Sequence, residues 1–474
     1  MSHKTIVLVH VPVDADHPVD TVTSVGLAYL HASLIKAGFS TTIYDFGRHI
    51  IKEDDFLSEL LVNPPLLIGF SVTSAALRTA SNWIHRWKSS GLKCPFVLGG
   101  AHPTVSPTET ILQTKCDYVL RGEAEESLPL LVKLLAQGIQ PHTGDVPGLV
   151  VAGCDNSCLP DIVEVADIDT LPWPARALQN SSNNVSLIPT VASRGCIYKC
   201  RFCYNSDPRR SVGIRHRNPE DVIGEIRSVL KCQGKGEIFF LDDCFSTDRA
   251  WASKMAENLG KLGVQWAIQA RAEEIADGVL VGKFARNGCK EIYFGIETLA
   301  GIAARLNNKS YDGKCVRAAV KACVNNGVST RGNFMIGFPE DTLDSIRVNI
   351  REGLELGLDK LEFMFVTPYP GSKLSLDPLT PLVNWLQFNP SWPICLSREL
   401  NEEMLLVMYR YAKTAAYITN VLHRFNFDCQ QLREVIKFWK NFILGPPFSR
   451  IKFLKWQGVA VIDGIFAGWR LRCR

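Results

Sequence analysis

Three cysteines, Cys196, Cys200 and Cys203, stand in a CxxxCxxC run within SRGCIYKCRFCYN. Thiolates are soft ligands that suit zinc or iron-sulfur clusters, and a compact loop lets three of them converge on one side of a metal centre. Their number separates the two chemistries. A structural zinc site closes with four ligands, commonly as two pairs distant in sequence, and no second CxxC or HxxxH partner accompanies this run. Three thiolates leave one iron of a four-iron cubane open for a cofactor or substrate to chelate. Cys154 and Cys158, in a turn-rich stretch, and Cys244, beside the acidic pair Asp242 and Asp243, read as ordinary thiols. Cys395, Cys429 and Cys473 are too dispersed to build a second cluster.

The elements that must hold these thiolates follow from periodicity. From Thr5 to about Gln137, β-branched runs (TIVLVHV, TTIYDF, LLIGF, PFVLGG, DYVLRG) alternate with helical patterns, which predicts a parallel, doubly wound sheet of flavodoxin-like type over residues 1–140. Such sheets bind ligands at the carboxyl ends of their strands. In the first helix Leu27, Leu30, Leu34 and Ile35 fall on one face, with Gly38 placed to cap its C-terminus. Residues 141–184 lose periodicity and read as a connector with room for one small hairpin. Alternation resumes over residues 185–373, where SLIPTVAS, EIFFLDD, VQWAIQAR, EIYFGIE, TRGNFMIG and KLEFMFVTP predict a partial (β/α)6 barrel. The cysteine loop directly follows its first strand, at the carboxyl face where barrel active sites are built. Residues 374–474 are predicted to form a helical, aromatic-rich cap.

Composition excludes several classes. Lys and Arg exceed Asp and Glu by four and are scattered except near the C-terminus, which argues against nucleic-acid binding. Fifteen cysteines spread through 474 residues suit reduced thiols and one metal site better than a disulfide scaffold. The N-terminus carries no secretory pattern, so a cytoplasmic location is expected. No run reaches the roughly 20 apolar residues of a spanning helix; the best, Gly458 to Trp469, is interrupted by Asp463. The apolar, cationic tail from Phe442 to Arg474 suits either a peripheral membrane contact or a solvated basic face.

The segment SRGCIYKCRFCYN, with Phe202 before its last cysteine, resembles the radical S-adenosylmethionine superfamily. The resemblance implies a 4Fe-4S cluster on Cys196, Cys200 and Cys203, whose open iron chelates S-adenosylmethionine and whose electron cleaves it to a 5'-deoxyadenosyl radical. It implies an external electron donor such as flavodoxin or ferredoxin. FFLDDCF occupies the second-strand position that meets the methionine end, with Asp242 and Asp243 where the family commonly has GGE. Arg271 in QAR and Glu297 in FGIE match positions expected to hold the carboxylate and ribose, and Ile336 and Gly337 in GNFMIGFPED match the segment beside the adenine. An acid ending a strand also serves simply as a helix cap.

GGAHPTVSPTE, DYVLRGEAEESL, GLAYLHASLIKAGF and LPWPAR resemble the cobalamin-binding subgroup of that superfamily. Gly99 and Gly100 allow close backbone approach to a large flat ligand, Ser71 and Thr73 offer hydroxyls after the third strand, and His102 is a further candidate contact. A dinucleotide is disfavoured, because no GxGxxG follows the first strand. The Asp-x-His-x-x-Gly motif that ligates cobalt in many cobalamin domains is absent, and His17, directly after Asp16, does not replace it. The resemblance implies a cobalamin-dependent radical methyltransferase acting on an unactivated carbon of a small molecule, whether natural product, lipid or tetrapyrrole. Anaerobic tetrapyrrole cyclases share the same motifs and offer the alternative of rearrangement or ring closure. Trp385, Trp392 and Trp439 read as core residues in preference to pocket lining.

Overall fold

Two six-stranded sheets carry the described residues. The computed structural model describes residues 5–13, 24–46, 52–154, 156–175, 187–210, 213–299, 306, 313–377, 380–394 and 396–425. Strands β1 (Ile6–His10), β2 (Thr41–Asp45), β3 (Leu67–Ser71), β4 (Phe96–Gly99), β5 (Tyr118–Leu120) and β6 (Leu149–Val151) form the first sheet in the order β2-β1-β3-β4-β5-β6. The first five are parallel, with Ile6 opposite both Thr41 and Leu67, so the strand order reverses between β1 and β3. Alternate residues of β1 serve opposite faces. Ile6 and Leu8 pack with Leu27 and Leu34 of α1 (Val25–Lys36) and Leu128 and Leu131 of α6 (Ser127–Ala136). Val7 and Val9 pack with Phe56 of α2 (Glu53–Val62) and with Trp83 and Trp87 of α3 (Leu77–Ser89).

Three expectations need correction. Ile35 is 52% exposed: the buried face of α1 runs instead through Val25, Leu27, Ala28 and Leu34. The connector does not form a separate hairpin. It supplies β6, antiparallel to β5, and a bridge between Gly122 and Val163, so the sheet edge that β5 would leave open is covered. Residues 380–394 are not helical, and Trp385 and Phe388 are buried in the core cluster of the first sheet. Trp392 is 48% exposed. The expected boundary at residues 184 and 185 lies outside the described residues, as do His17, Cys395, Cys429, Trp439, Cys473 and the tail from Phe442.

The second sheet is β7 (Leu187–Thr190), β10 (Glu237–Phe240), β11 (Trp266–Ala270), β12 (Cys289–Glu297), β13 (Ser329–Ile336) and β14 (Lys360–Phe365), all parallel and in sequence order. Between them come α7 (Pro219–Gln233), α8 (Arg249–Leu262), α9 (Ala272–Ile275), α10 (Val279–Arg286), α11 (Gly313–Asn325) and α12 (Leu343–Leu354), the βα alternation of a partial barrel. Phe240, Trp266, Phe284, Phe294 and Phe334 are fully buried between strands and helices. The last helix, α13 (Glu402–Phe425), covers the edge strand β14: Asn420 accepts from the Leu361 N–H at 3.0 Å and donates to its carbonyl at 3.3 Å. Two short strands, β8 (Ser193–Arg194) and β9 (Arg215–His216), pair antiparallel and clasp the base of the cysteine loop.

Candidate active site

The cysteine loop leaves β8 through Gly195, whose φ is +95° and where a Cβ would lie 2.3 Å from the Gly213 carbonyl oxygen. Only glycine fits that turn. The Cys203 N–H then donates to the Cys200 carbonyl at 3.0 Å and the Ser206 hydroxyl to the Cys203 carbonyl at 2.7 Å, which turns the chain tightly between and after the last two thiols. Burial pushes the Cys203 thiol up to about 12, and a bound metal deprotonates such a thiol outright. Three thiols on one short loop, with Arg271 donating to one of them, are a donor set of the kind that holds a cubane.

Around the loop, partners are specific. Arg271, at the end of β11, donates to the Cys200 sulfur at 3.3 Å and to Glu273 at 2.5 Å, and its guanidinium lies 3.8 Å over the Tyr198 ring. The Tyr198 hydroxyl in turn donates to Glu274 at 2.9 Å, and Thr247 donates to the same carboxylate at 2.6 Å. Arg271 is thus engaged by the cluster loop rather than presented as an open carboxylate anchor. The Cys244 sulfur stands 3.2 Å from that of Cys196 and is buried, beside the cluster rather than remote from it.

Asp242 and Asp243 diverge. Asp242 turns back toward the chain, accepting from the Ser193 hydroxyl at 2.6 Å and the Ala192 N–H at 3.1 Å. It pins the end of β10 to the entry of the cluster loop, and burial pushes its carboxyl up to about 7. Asp243 accepts from Asn205 at 3.1 Å and lines a cleft between the two sheets; burial raises its carboxyl too. The GGE position is therefore filled by one structural acid and one that faces ligand space.

At the far strand ends, Glu297 adopts φ +65°, unusual for a residue with a side chain, where the register of β12 against β13 shifts. Such strain concentrates at functional positions. Asn349 of α12 holds this turn, accepting from the Leu299 N–H at 2.8 Å and donating to the Glu297 and Met335 carbonyls at 3.5 Å. Gly337 donates its N–H to Asp341 at 2.9 Å, while the Ile336 side chain is fully buried in the barrel core. Phe202 packs against Phe338, ring centroids 6.0 Å apart. The Asn333 amide oxygen, on the same face of β13 as Arg331, is buried without a protein partner. A buried polar atom of that kind is what a polar ligand satisfies, which fits S-adenosylmethionine in the barrel.

The cleft, about 360 Å3, lies across the strand ends of the first sheet and reaches Gly195, Tyr204 and Asp243 in the second. Ser71, Gly99 and Gly100 line it, as expected from sequence. Gly100 has φ +99°, and a Cβ there would approach the Val72 carbonyl oxygen to 2.8 Å. Gly26, Gly69, Thr104 and Gly122 line it as well and were not singled out by sequence. A Cβ on Gly69 would sit 2.9 Å from Leu8 Cδ2, so any side chain there would push on this wall of the cleft. Thr73 is exposed and is not among the lining residues, and His102 faces elsewhere. Its Nδ1 lies 2.9 Å from the Ser74 hydroxyl, its ring packs edge-on to Trp385, and its Nε2 is buried without a partner. Burial lowers its imidazole to about 4.

The two halves are locked by charges that sequence spacing did not reveal. Glu123 receives both Arg215 amines at 2.7 and 2.8 Å, and Glu125 receives Arg194 at 2.7 Å. Burial pushes Glu123 up, but these cations bring its carboxyl below the usual range. The signal available was the acidic run GEAEES directly after β5.

Residues 13–132 match the B12 binding domain and residues 190–352 match the Radical SAM superfamily. The chain belongs to the cobalamin-binding radical S-adenosylmethionine enzymes. This radical S-adenosylmethionine enzyme is 26% identical over 410 residues to an uncharacterized methyltransferase of Pyrococcus horikoshii, covering 83% of this chain and 87% of that protein. It is 24% identical over 283 residues to bacteriochlorophyllide d C-12(1)-methyltransferase of Chlorobaculum tepidum, covering 58% of each. Its fold is shared with the cobalamin-dependent S-adenosylmethionine radical enzyme OxsB, solved with aqua-cobalamin and S-adenosylmethionine bound. The TM-score is 0.67 at 14% identity, over 100% of this chain and 79% of that one. The two matched family models are those of a cobalamin (B12) binding domain and of radical S-adenosylmethionine chemistry.

Proposed function

We propose that this chain methylates an unactivated carbon of a small molecule, as a cobalamin-dependent radical S-adenosylmethionine methyltransferase. The observation that carries this reading is the single cleft that begins among the glycines of the first sheet and ends at the cluster loop of the second. With cobalamin in this cleft and the cluster and S-adenosylmethionine on the loop and barrel beside it, the three cofactors would supply hydrogen abstraction and a methyl donor, chemistry that side-chain acids and bases cannot perform on an unactivated C–H bond.

The chain's own residues bind, orient and exclude water. Cys196, Cys200 and Cys203 hold the cluster; Asp243, Glu297, Asn333 and the backbone at Gly337 face S-adenosylmethionine. Gly69, Gly99, Gly100, Ser71 and Thr104 admit cobalamin. The clamp of Glu123 and Glu125 on Arg215 and Arg194 fixes the distance between the two sites. A flat, largely apolar substrate of tetrapyrrole or lipid kind is consistent with the relative that acts on bacteriochlorophyllide d. An external donor such as flavodoxin or ferredoxin supplies the electron. Among the described residues no helix is long and apolar enough to cross a membrane, and the reduced thiols suit the cytoplasm.

Anaerobically reconstituted full-length protein, given cobalamin, S-adenosylmethionine and dithionite with extracts of its native host, is expected to form S-adenosylhomocysteine together with 5'-deoxyadenosine. 5'-Deoxyadenosine alone would favour the cyclase alternative. Formation of neither would end the radical reading.

A further inference from the structure

Two groups beside the cluster loop lie outside the CxxxCxxC run. Arg271 is 7% exposed and Cys244 is 2% exposed, so neither trades its contacts for water. The Arg271 guanidinium is fixed on three sides: Glu273 takes the Nε edge, the Tyr198 ring lies against its face, and Nη1 points at the Cys200 sulfur, 3.3 Å away. On the other flank the Cys244 sulfur is 3.2 Å from Cys196. Once Cys196 is a metal-bound thiolate it has no proton, and Cys244 is the donor of that pair.

We propose that Arg271 and Cys244 form a hydrogen-bond shell on the cluster thiolates, Arg271 to Cys200 and Cys244 to Cys196, and that this shell raises the cluster's reduction potential. The proposal rests on the reading that Cys196, Cys200 and Cys203 carry the cluster. The sign follows from charge. Reduction adds an electron to an already anionic centre and makes its sulfurs better acceptors, so donors aimed at them stabilise the reduced form more than the oxidised one. The neighbouring charges act in both senses: Glu273 pairs with the Arg271 guanidinium, and Asp243 holds Asn205 just beyond the loop. The directional N–H and S–H contacts are what remain to set the potential.

The test uses full-length protein reconstituted anaerobically with iron and sulfide and titrated with dithionite under electron paramagnetic resonance. Wild type is compared with R271K, R271Q, C244S and C244A. R271Q and C244A are expected to keep wild-type iron and sulfide per chain and to move the midpoint to more negative potential. A tenfold loss in the reduction equilibrium corresponds to about 59 mV for one electron. C244S retains a donor and is expected to lie between C244A and wild type, as R271K is for R271Q. Unchanged midpoints in R271Q and C244A overturn the proposal, as does a loss of iron with a three-iron signal in C244A, which would make Cys244 a ligand. If C244A fails to fold, a C244S midpoint equal to that of C244V, with intact clusters in both, overturns the Cys244 half. Wild type that binds no iron and sulfide overturns the cluster reading itself, a different failure.

Discussion

The carboxyl edges of the two sheets receive their ligands by opposite means. At the first sheet the chain removes side chains: Gly69, Gly99, Gly100 and Gly122 open a slot whose walls are backbone and the flanks of Leu8 and Val97. At the second it adds them: three thiols on the loop after the first strand, Asp243, the strained Glu297 and, within β13, the unpartnered Asn333. A large, preformed cofactor needs volume and close backbone approach, whereas a cluster and a zwitterion need donors of the right charge and direction. The difference teaches that the two sites fail differently, one by filling and the other by deletion.

Deletion is expected to give the largest effect. Cys200→Ala should abolish iron and sulfide incorporation and reduce 5'-deoxyadenosine formation to background, while leaving cobalamin binding intact; a full cluster in this variant would refute the ligand assignment. Filling comes next. Gly69→Val puts a branched side chain where a Cβ already meets Leu8 at 2.9 Å. Overpacking of this kind costs about 1–3 kcal/mol of stability, and at a position that lines the cleft it is expected to weaken cobalamin binding. Equilibrium dialysis with hydroxocobalamin checks it, and cluster content should not change. If the valine variant loses its cluster instead, the two edges are not independent and the comparison breaks.

The same contrast governs what the sequence disclosed. Added side chains at fixed spacing announce themselves, and the cysteine run, Phe202 and the strand-end acids were legible for that reason. Gly99 and Gly100 were visible as a pair after a strand, but Gly26 and Gly69 are single glycines inside a helix and a strand, with no local pattern to mark them as walls. Asp242 and Asp243 look alike in sequence, and only the fold shows that one bonds back to Ser193. The Arg194 and Arg215 clamps join residues 69 and 92 positions apart, beyond any periodicity. The parallel strand–helix alternation was readable because β-branched runs alternate with helical patterns; β6 was not, because its three residues cover an edge rather than extend a pattern.

His102 sharpens the comparison by its place on the first sheet yet outside the slot. Its imidazole, lowered to about 4 by burial, is neutral in the fold, whereas the unfolded value is near 6.5. Its contribution to stability is complete above pH 6.5 and is lost as pH falls toward 4, a change on the order of 3 kcal/mol. Urea unfolding of wild type and His102→Gln across that window should show a steeper acid loss in wild type. Cobalamin affinity at neutral pH should be nearly equal in the two proteins; a large drop in the variant would return His102 to the cofactor.

Asn349 is the corresponding residue of the second sheet, a side chain that touches backbone rather than ligand. Its amide holds the Leu299 N–H and the Glu297 and Met335 carbonyls, and so keeps the positive φ of Glu297 in place. Asn349→Ala leaves the half-buried Leu299 N–H without its protein partner, at a cost of about 1 kcal/mol. If the strain at Glu297 serves only the fold, the variant loses stability alone. If it aims the carboxylate at S-adenosylmethionine, affinity for that ligand falls as well, measured by isothermal titration on cluster-loaded protein, while cobalamin binding at the other sheet stays unchanged. An affinity for S-adenosylmethionine equal to wild type would confine Asn349 to the scaffold and leave the second sheet's site to the side chains that face its lumen.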